Sequence, residues 1–263
     1  MYDPRTRCNR PFVVVLAMLA TLMGWASVSR TSGAAEWPKS GTFVAKGVKL
    51  HFVEAGRGEP VILVHGLYSS AFMNWQLTGV MSKLAESRRV IAIDLPGHGS
   101  SDKPTNDEAY GVQMVDDVML LMDHLKLKKA DVVGYSLGGM VVMKLLARHP
   151  ERVKTAVVGG MGWMNEGGSM QKFWDGLPRS NGRSAPSACM NNMGKLALSE
   201  TELRSIKQPV LVLVGGDDVV KMLYVTPLRK IRADWRVVEI PQAGHFTCII
   251  KSQFKDEIVR WLK

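Results

Sequence analysis

Three residue types, in one chain order, could carry nucleophilic chemistry here: Ser136, then the pair Asp217 and Asp218, then His245. A serine hydroxyl is a poor nucleophile unless a base stands within hydrogen-bond reach and a third group orients that base. Serine, histidine and aspartate supply those parts, and the chemistry they support is acyl transfer through a covalent intermediate. Ser136 stands in Gly134-Tyr135-Ser136-Leu137-Gly138, between the β-branched pair Val132-Val133 and an apolar stretch that ends at Arg148, His149 and Pro150. A strand, a sharp turn and a helix hold such a serine in a strained conformation, its hydroxyl clear of the sheet. Glycines two residues to either side leave space where a β-carbon would crowd the turn.

The base and its orienting acid must arrive at the same sheet edge. His245 follows the last predicted strand, in Gly244-His245-Phe246, and Asp217 and Asp218 follow the apolar run 210–214. Serine, aspartate, histidine is the order expected when this triad is built on a parallel sheet. Spacing leaves either aspartate as the acid. The other histidines read as structural. His149 closes a helix, His98 belongs to a turn, His124 to a helix surface, His51 to a hairpin, and His65 pins a neighbouring loop. A tetrahedral intermediate also needs preorganised N–H donors for its oxyanion. The backbone N–H groups of Leu137, directly after the nucleophile, and of Leu67, after His65-Gly66, are the expected pair.

The elements that must position these groups alternate along the chain. Residues 41–56 predict a hairpin turning at Lys46-Gly47, and buried strands follow in the run VILVHG that Pro60 opens, at 90–93, and at Val132-Val133 leading into Gly134. Further strands are predicted over 153–158, 208–214 and 235–240. Helices are predicted over 72–86, 114–125 and 137–148, with a terminal helix bearing Phe254, Ile258, Trp261 and Leu262. The pattern predicts an α/β fold, a mostly parallel central sheet with helices on both faces. Residues 161–207 break the rhythm: they lack a strand pattern and are rich in Met and Trp, which predicts a short lid insertion. The competing reading is an irregular connection whose apolar side chains cover the sheet.

Composition sets the wider limits. With 46% hydrophobic and 22% charged residues the chain is an ordinary globular one. Arg5, Arg7 and Arg10 precede the uncharged run 11–29, and Gly33-Ala34-Ala35 follows it. That order predicts a signal peptide over 1–35 and an exported protein, with retention of residues 11–29 as a membrane anchor as the alternative. Cys8 precedes the apolar run, so a lipoprotein anchor is not indicated. The whole chain carries +10; residues 1–35 hold four arginines and one aspartate, so residues 36–263 carry +7. The positive charges are scattered, which gives nucleic-acid binding no support. Cys189 and Cys248, the two cysteines beyond the leader, allow either a disulfide or two separate buried thiols.

Five ordered motifs carry a resemblance: His65-Gly66, Asp94-Leu95-Pro96-Gly97-His98-Gly99-Ser100-Ser101, Gly134-Tyr135-Ser136-Leu137-Gly138-Gly139, Gly215-Gly216-Asp217-Asp218 and Gly244-His245. From about residue 42 onward the chain resembles the α/β-hydrolase superfamily, in its serine esterase and lipase-like branch. The resemblance implies the α/β-hydrolase fold and Ser136, Asp218 and His245 as the catalytic set, Asp218 because the family's acid is counted three residues from Gly215; Asp217 is the runner-up. It implies no cofactor, no metal and no nucleic-acid partner. The partner it implies is a small-molecule ester of a small or medium acyl group, with no stable membrane insertion once the leader is cut. Acyl transfer to another nucleophile (an acyltransferase or perhydrolase) and non-catalytic ligand binding are the alternatives. The short insertion is expected to separate the chain from the large-capped carbon–carbon bond hydrolases of aromatic degradation. In this fold the lid and the histidine loop meet, so the resemblance also implies a Cys189–Cys248 bridge between them.

Overall fold

The structure, a computed structural model, describes residues 38–178 and 185–263; the expected leader and a short part of the insertion lie outside the described residues. Strands β1 (Lys39–Ala45) and β2 (Val48–Ala55) form the expected hairpin. Its turn residues Lys46 and Gly47 have φ of 45° and 87°, as a two-residue turn between twisted strands requires. Six strands run parallel: β3 (Pro60–Val64), β4 (Arg89–Ile93), β5 (Ala130–Tyr135), β6 (Val153–Gly159), β7 (Val210–Gly215) and β8 (Arg236–Ile240). The sheet order is β1-β2-β4-β3-β5-β6-β7-β8, with β2 antiparallel to β4. This is an α/β-hydrolase fold, and β5, which leads into Ser136, lies in its interior.

Successive side chains of a strand point to opposite faces, so each buried strand feeds two core layers. Ile62, Val64, Val132 and Val212 enter one layer, beneath α2 (Val112–His124) and α3 (Leu137–Arg148). Val61, Leu63, Val133 and Leu211 enter the other, beneath α1 (Val80–Ala85) and α8 (Ser252–Trp261). Each fully buried Val, Leu or Ile contributes roughly 1.5–3 kcal/mol of transfer free energy. Continuous apolar strands are therefore the main support of the sheet edge that carries the site.

Two helical expectations change. Residues 72–86 do not make one helix: a short π-helical turn, Phe72–Gln76, is separated from α1 by Gly79, whose φ of 75° lies in the left-handed region. Residues 219–234, which the apolar pattern leaves unassigned, hold a π-helical turn at Lys221–Val225 and α7 (Thr226–Ile231).

Between β6 and β7 lie α4 (Ser169–Asp175), α5 (Ala185–Asn191) and α6 (Glu200–Ser205). The outgoing and returning limbs meet at a β-bridge between Asn165 and Leu198. Trp163 Nε1 and Glu166 N donate to the Leu198 carbonyl, both at 2.9 Å, and Leu198 N donates to Met164 O at 3.0 Å. Lys144 of α3 clamps the returning limb, donating to Ala197 O at 2.9 Å and to Glu202 Oε1 at 2.8 Å. Met161, Trp163, Met164 and Met193 are buried against the sheet, whereas Phe173 is exposed.

Candidate active site

Ser136 sits between β5 and α3 with φ 53° and ψ −115°, a conformation that L-residues rarely adopt and that costs of order 1–3 kcal/mol. The surroundings hold it there. Ser136 N donates to Gly159 O of β6 at 2.8 Å. A β-carbon on Gly134 would collide with the Gly138 carbonyl, and one on Gly138 with the Val64 carbonyl of β3. Both glycines of the motif are therefore demanded by backbone contact.

His245 arrives from the loop after β8. Its Nε2 lies 2.9 Å from Ser136 Oγ, and its Nδ1 lies 2.9 Å from Asp218 Oδ2. The Asp218 side chain is fully buried and the His245 side chain one-quarter exposed. Asp218 Oδ1 accepts from Val220 N at 2.9 Å, so the carboxylate is aimed by its own loop. Asp217, the other candidate, is exposed. With the Nδ1 proton donated to Asp218, Nε2 is left as the acceptor facing the serine hydroxyl.

The two amides expected as donors, those of Leu137 and Leu67, flank the serine turn from α3 and from the loop after β3. Leu137 is the first residue of α3, where N–H groups lack intrahelical acceptors and the helix end is positive. Gly66 packs against Ser136: a β-carbon there would lie 3.3 Å from the serine Cβ. Its N–H donates to Asn74 Oδ1 at 2.8 Å, and its carbonyl accepts from His65 Nδ1 at 2.7 Å. A trans peptide points its C=O and N–H in opposite directions, so fixing the Gly66 carbonyl aims the Leu67 N–H. Among the described residues, neither the Leu67 nor the Leu137 amide is taken by a turn or side-chain acceptor.

His65 is more than a loop pin. It is fully buried, and its Nε2 accepts from Leu95 N at 3.0 Å while Nδ1 donates to Gly66. Accepting at Nε2 requires the neutral ring. Burial, then the neighbouring His98, lowers its pKa from 6.5 to about 4.

Some supporting residues escape sequence patterns. Tyr135, inside the motif, donates its buried hydroxyl to the His245 carbonyl, and the two rings lie 5.7 Å apart. Burial raises the phenol's pKa, so it remains a donor. His51 is not a free surface group: its Nδ1 lies 2.8 Å from Asp94 Oδ2 and its Nε2 2.7 Å from Ser40 Oγ. Asp94 also accepts from Ala71 N and Ser100 N, at 2.7 and 2.9 Å, and so ties the Leu67 loop to the turn after β4. An aromatic inside the serine motif and an aspartate opening a Gly-rich turn were the available signals; the partners lie too far along the chain for spacing to reveal.

The bridge between Cys189 and Cys248 does not form. Both cysteines are free and buried, Cys189 in the core layer under α2 and α3 and Cys248 in the layer on the opposite sheet face. Burial pushes both thiols up to about 12, with the Asp218 charge adding to the effect on Cys248.

The family model described as alpha/beta hydrolase fold matches residues 59–201. Over 119 residues the chain is 39% identical to a 2-hydroxymuconate semialdehyde hydrolase of Pseudomonas sp. (strain CF600), covering 44% of this chain and 41% of that protein. It is also 39% identical over 116 residues to a cis-3-alkyl-4-alkyloxetan-2-one decarboxylase of Shewanella oneidensis, covering 43% of this chain and 35% of that protein. These matches span less than half of either relative. A solved structure of a meta-cleavage product hydrolase from Pseudomonas fluorescens IP01 superimposes with a TM-score of 0.69 at 24% identity, covering 84% of this chain and 97% of that one, and so shares the fold. A semialdehyde hydrolase among the relatives runs against the expectation that a short insertion sets this chain apart from such enzymes.

Proposed function

The chain belongs to the alpha/beta hydrolase fold family, and we propose that within it this protein is a serine hydrolase cleaving a carboxylic ester of a small or medium acyl group. The observation that carries this reading is the unbroken chain from Ser136 Oγ through His245 to Asp218, 2.9 Å at each link. His245 Nε2 takes the hydroxyl proton as Ser136 Oγ bonds to the acyl carbon, and the Leu67 and Leu137 amides stabilise the oxyanion. The same proton passes to the leaving alcohol as the ester C–O bond breaks. Water, deprotonated by His245, then attacks the acyl-enzyme, releasing the carboxylic acid and restoring Ser136. Asp218 keeps the imidazole in the required tautomer throughout.

A second reading is hydrolysis of a carbon–carbon bond beside a carbonyl by the same residues, favoured by the 39% identity to the semialdehyde hydrolase. The insertion over 161–207 serves in either case as a lid, and residues 1–35 as an export leader. A chain-length series of nitrophenyl esters, run beside a ring-cleavage semialdehyde, separates the two substrates. Ser136→Ala is expected to cut turnover of the preferred one about a thousandfold or more. Turnover unchanged in that variant, or no labelling of Ser136 by a fluorophosphonate, would remove the serine hydrolase reading.

A further inference from the structure

His245 belongs to a lightly held loop. Phe246 is 87% exposed, Thr247 is exposed, and a β-carbon on Gly244 would meet no atom within 4 Å. Gly244 N donates to Thr247 Oγ1 at 2.9 Å, and Cys248 N donates to Gly244 O at 3.0 Å. These bonds close the loop on itself without fixing it to the sheet. Among the described residues, the one bond from the His245 backbone to another element is the bond its carbonyl accepts from the Tyr135 hydroxyl.

That hydroxyl is a rigid anchor. Tyr135 closes β5, which is paired on both sides, Gly134 with Val64 of β3 and Tyr135 with Gly159 of β6. The side chain is buried and packs edge-on against Phe254 of α8, with ring centroids 5.6 Å apart. Two glycines make its seat: a β-carbon on Gly159 would lie 2.9 Å from the ring, and one on Gly160 would lie 2.8 Å from it. The Cys248 thiol and the Ile249 amide also reach the hydroxyl, so it holds the histidine loop at both ends. The next residue is Ser136, whose N–H donates to Gly159 O at 2.8 Å. Nucleophile and base thus take their places from adjacent residues of one turn. The imidazole must meet Asp218 at one nitrogen and Ser136 at the other, and a displacement of about 1 Å costs on the order of 100-fold in rate.

We propose that Tyr135 is a positioning residue for the base: its hydroxyl holds the His245 peptide so that the imidazole spans Asp218 and Ser136. The effect on rate rests on the serine hydrolase reading; the placement of the imidazole does not. Tyr135→Phe deletes one oxygen and keeps the ring. In the full chain, kcat for the preferred ester should fall about tenfold or more while KM stays within about twofold. Fluorophosphonate labelling of Ser136 should slow with it. The His245 Nδ1 proton, bonded to Asp218, gives a downfield nuclear magnetic resonance signal, which should broaden or move upfield in the variant. Para-aminophenylalanine at position 135 returns a donor to the same place and should restore both rate and signal. Trp261→Phe is the control for a purely structural loss. It removes the bond that Trp261 Nε1 donates to Thr155 Oγ1 at 2.8 Å, toward the opposite end of β6 from Gly159. It should leave kcat and the signal unchanged even where the melting temperature falls. A Tyr135→Phe chain with kcat within about twofold of the parent and an unmoved signal overturns the proposal. So does a loss that the amino side chain fails to restore, or a Phe variant that does not fold, since Tyr135 would then be a support of the core. Absence of ester turnover in the unaltered chain, with the signal still displaced in Tyr135→Phe, supports the placement and counts against the hydrolase reading alone.

Discussion

His65 holds the peptide that carries the Leu67 N–H by donating at Nδ1 to Gly66, and as a neutral ring it also accepts at Nε2 from Leu95. His65→Phe fills much the same space and loses both bonds. If the Leu67 N–H serves as the proposed oxyanion donor, losing it outright would cost about 100–1000-fold in kcat, so its partial displacement is expected to give a drop of roughly 10–100-fold. The donor acts on the transition state, so KM should stay nearly constant and kcat should carry the loss. Steady-state kinetics on a soluble ester check this; a raised KM with unchanged kcat would mean that His65 supports substrate binding instead. Melting temperature, read on the same variant, separates the kinetic effect from a general loss of stability.

At the scale of elements, α6 is a short helix with a complete capping box: Ser199 Oγ accepts from Glu202 N at 3.1 Å, and Glu202 Oε2 accepts from Ser199 N at 2.9 Å. Ser199→Ala should cost about 1 kcal/mol, felt locally. Hydrogen exchange should then quicken over residues 200–205 and stay unchanged in β5 and β6. The strands were legible in sequence because fully buried parallel strands write themselves as unbroken apolar runs, and the Ser136 turn because its glycines are required by backbone contact. Gly79 was not legible as a break, since apolar spacing runs through it without registering a left-handed φ. Residues 219–234 were missed because Val219 and Val220 carry no helical period, and the Pro227 that opens α7 reads as a turn. His51 and Asp94 stand 43 residues apart, and such a pairing is visible only once β2 lies beside β4. Cys189 and Cys248 looked pairable for the same reason: linear spacing does not say which sheet face a residue will reach.

For the whole molecule, two buried groups pull stability in opposite directions with pH. Burial raises the pKa of Asp117 from 3.8 to about 7, so the folded chain keeps a proton that the unfolded chain releases. Its contribution is present below the unfolded value and is lost as pH rises toward 7. His65, lowered from 6.5 to about 4, behaves conversely: its contribution is present above 6.5 and is lost as pH falls toward 4. Burial lowers His98 as well, on the same side as His65. Between about pH 4 and 6.5 the Asp117 and His65 slopes, each about 1.4 kcal/mol per pH unit, nearly cancel. Asp117→Asn keeps an oxygen for the Gln113 amide, which donates to Asp117 at 2.9 Å, and removes one slope. The variant should be more stable than the parent above pH 7 and lose stability steeply on acidification from pH 6.5, as denaturant titrations across pH would record. The neck between β6 and β7 has a different bearing. Asn165 and Leu198 meet in one bridge, while Ser136, Asp218 and His245 are all encoded outside the span they close. That span is a cassette with two natural splice points, and a graft of another length at those points would exchange the segment between them while leaving the sheet and the arrangement of Ser136, Asp218 and His245 as they are.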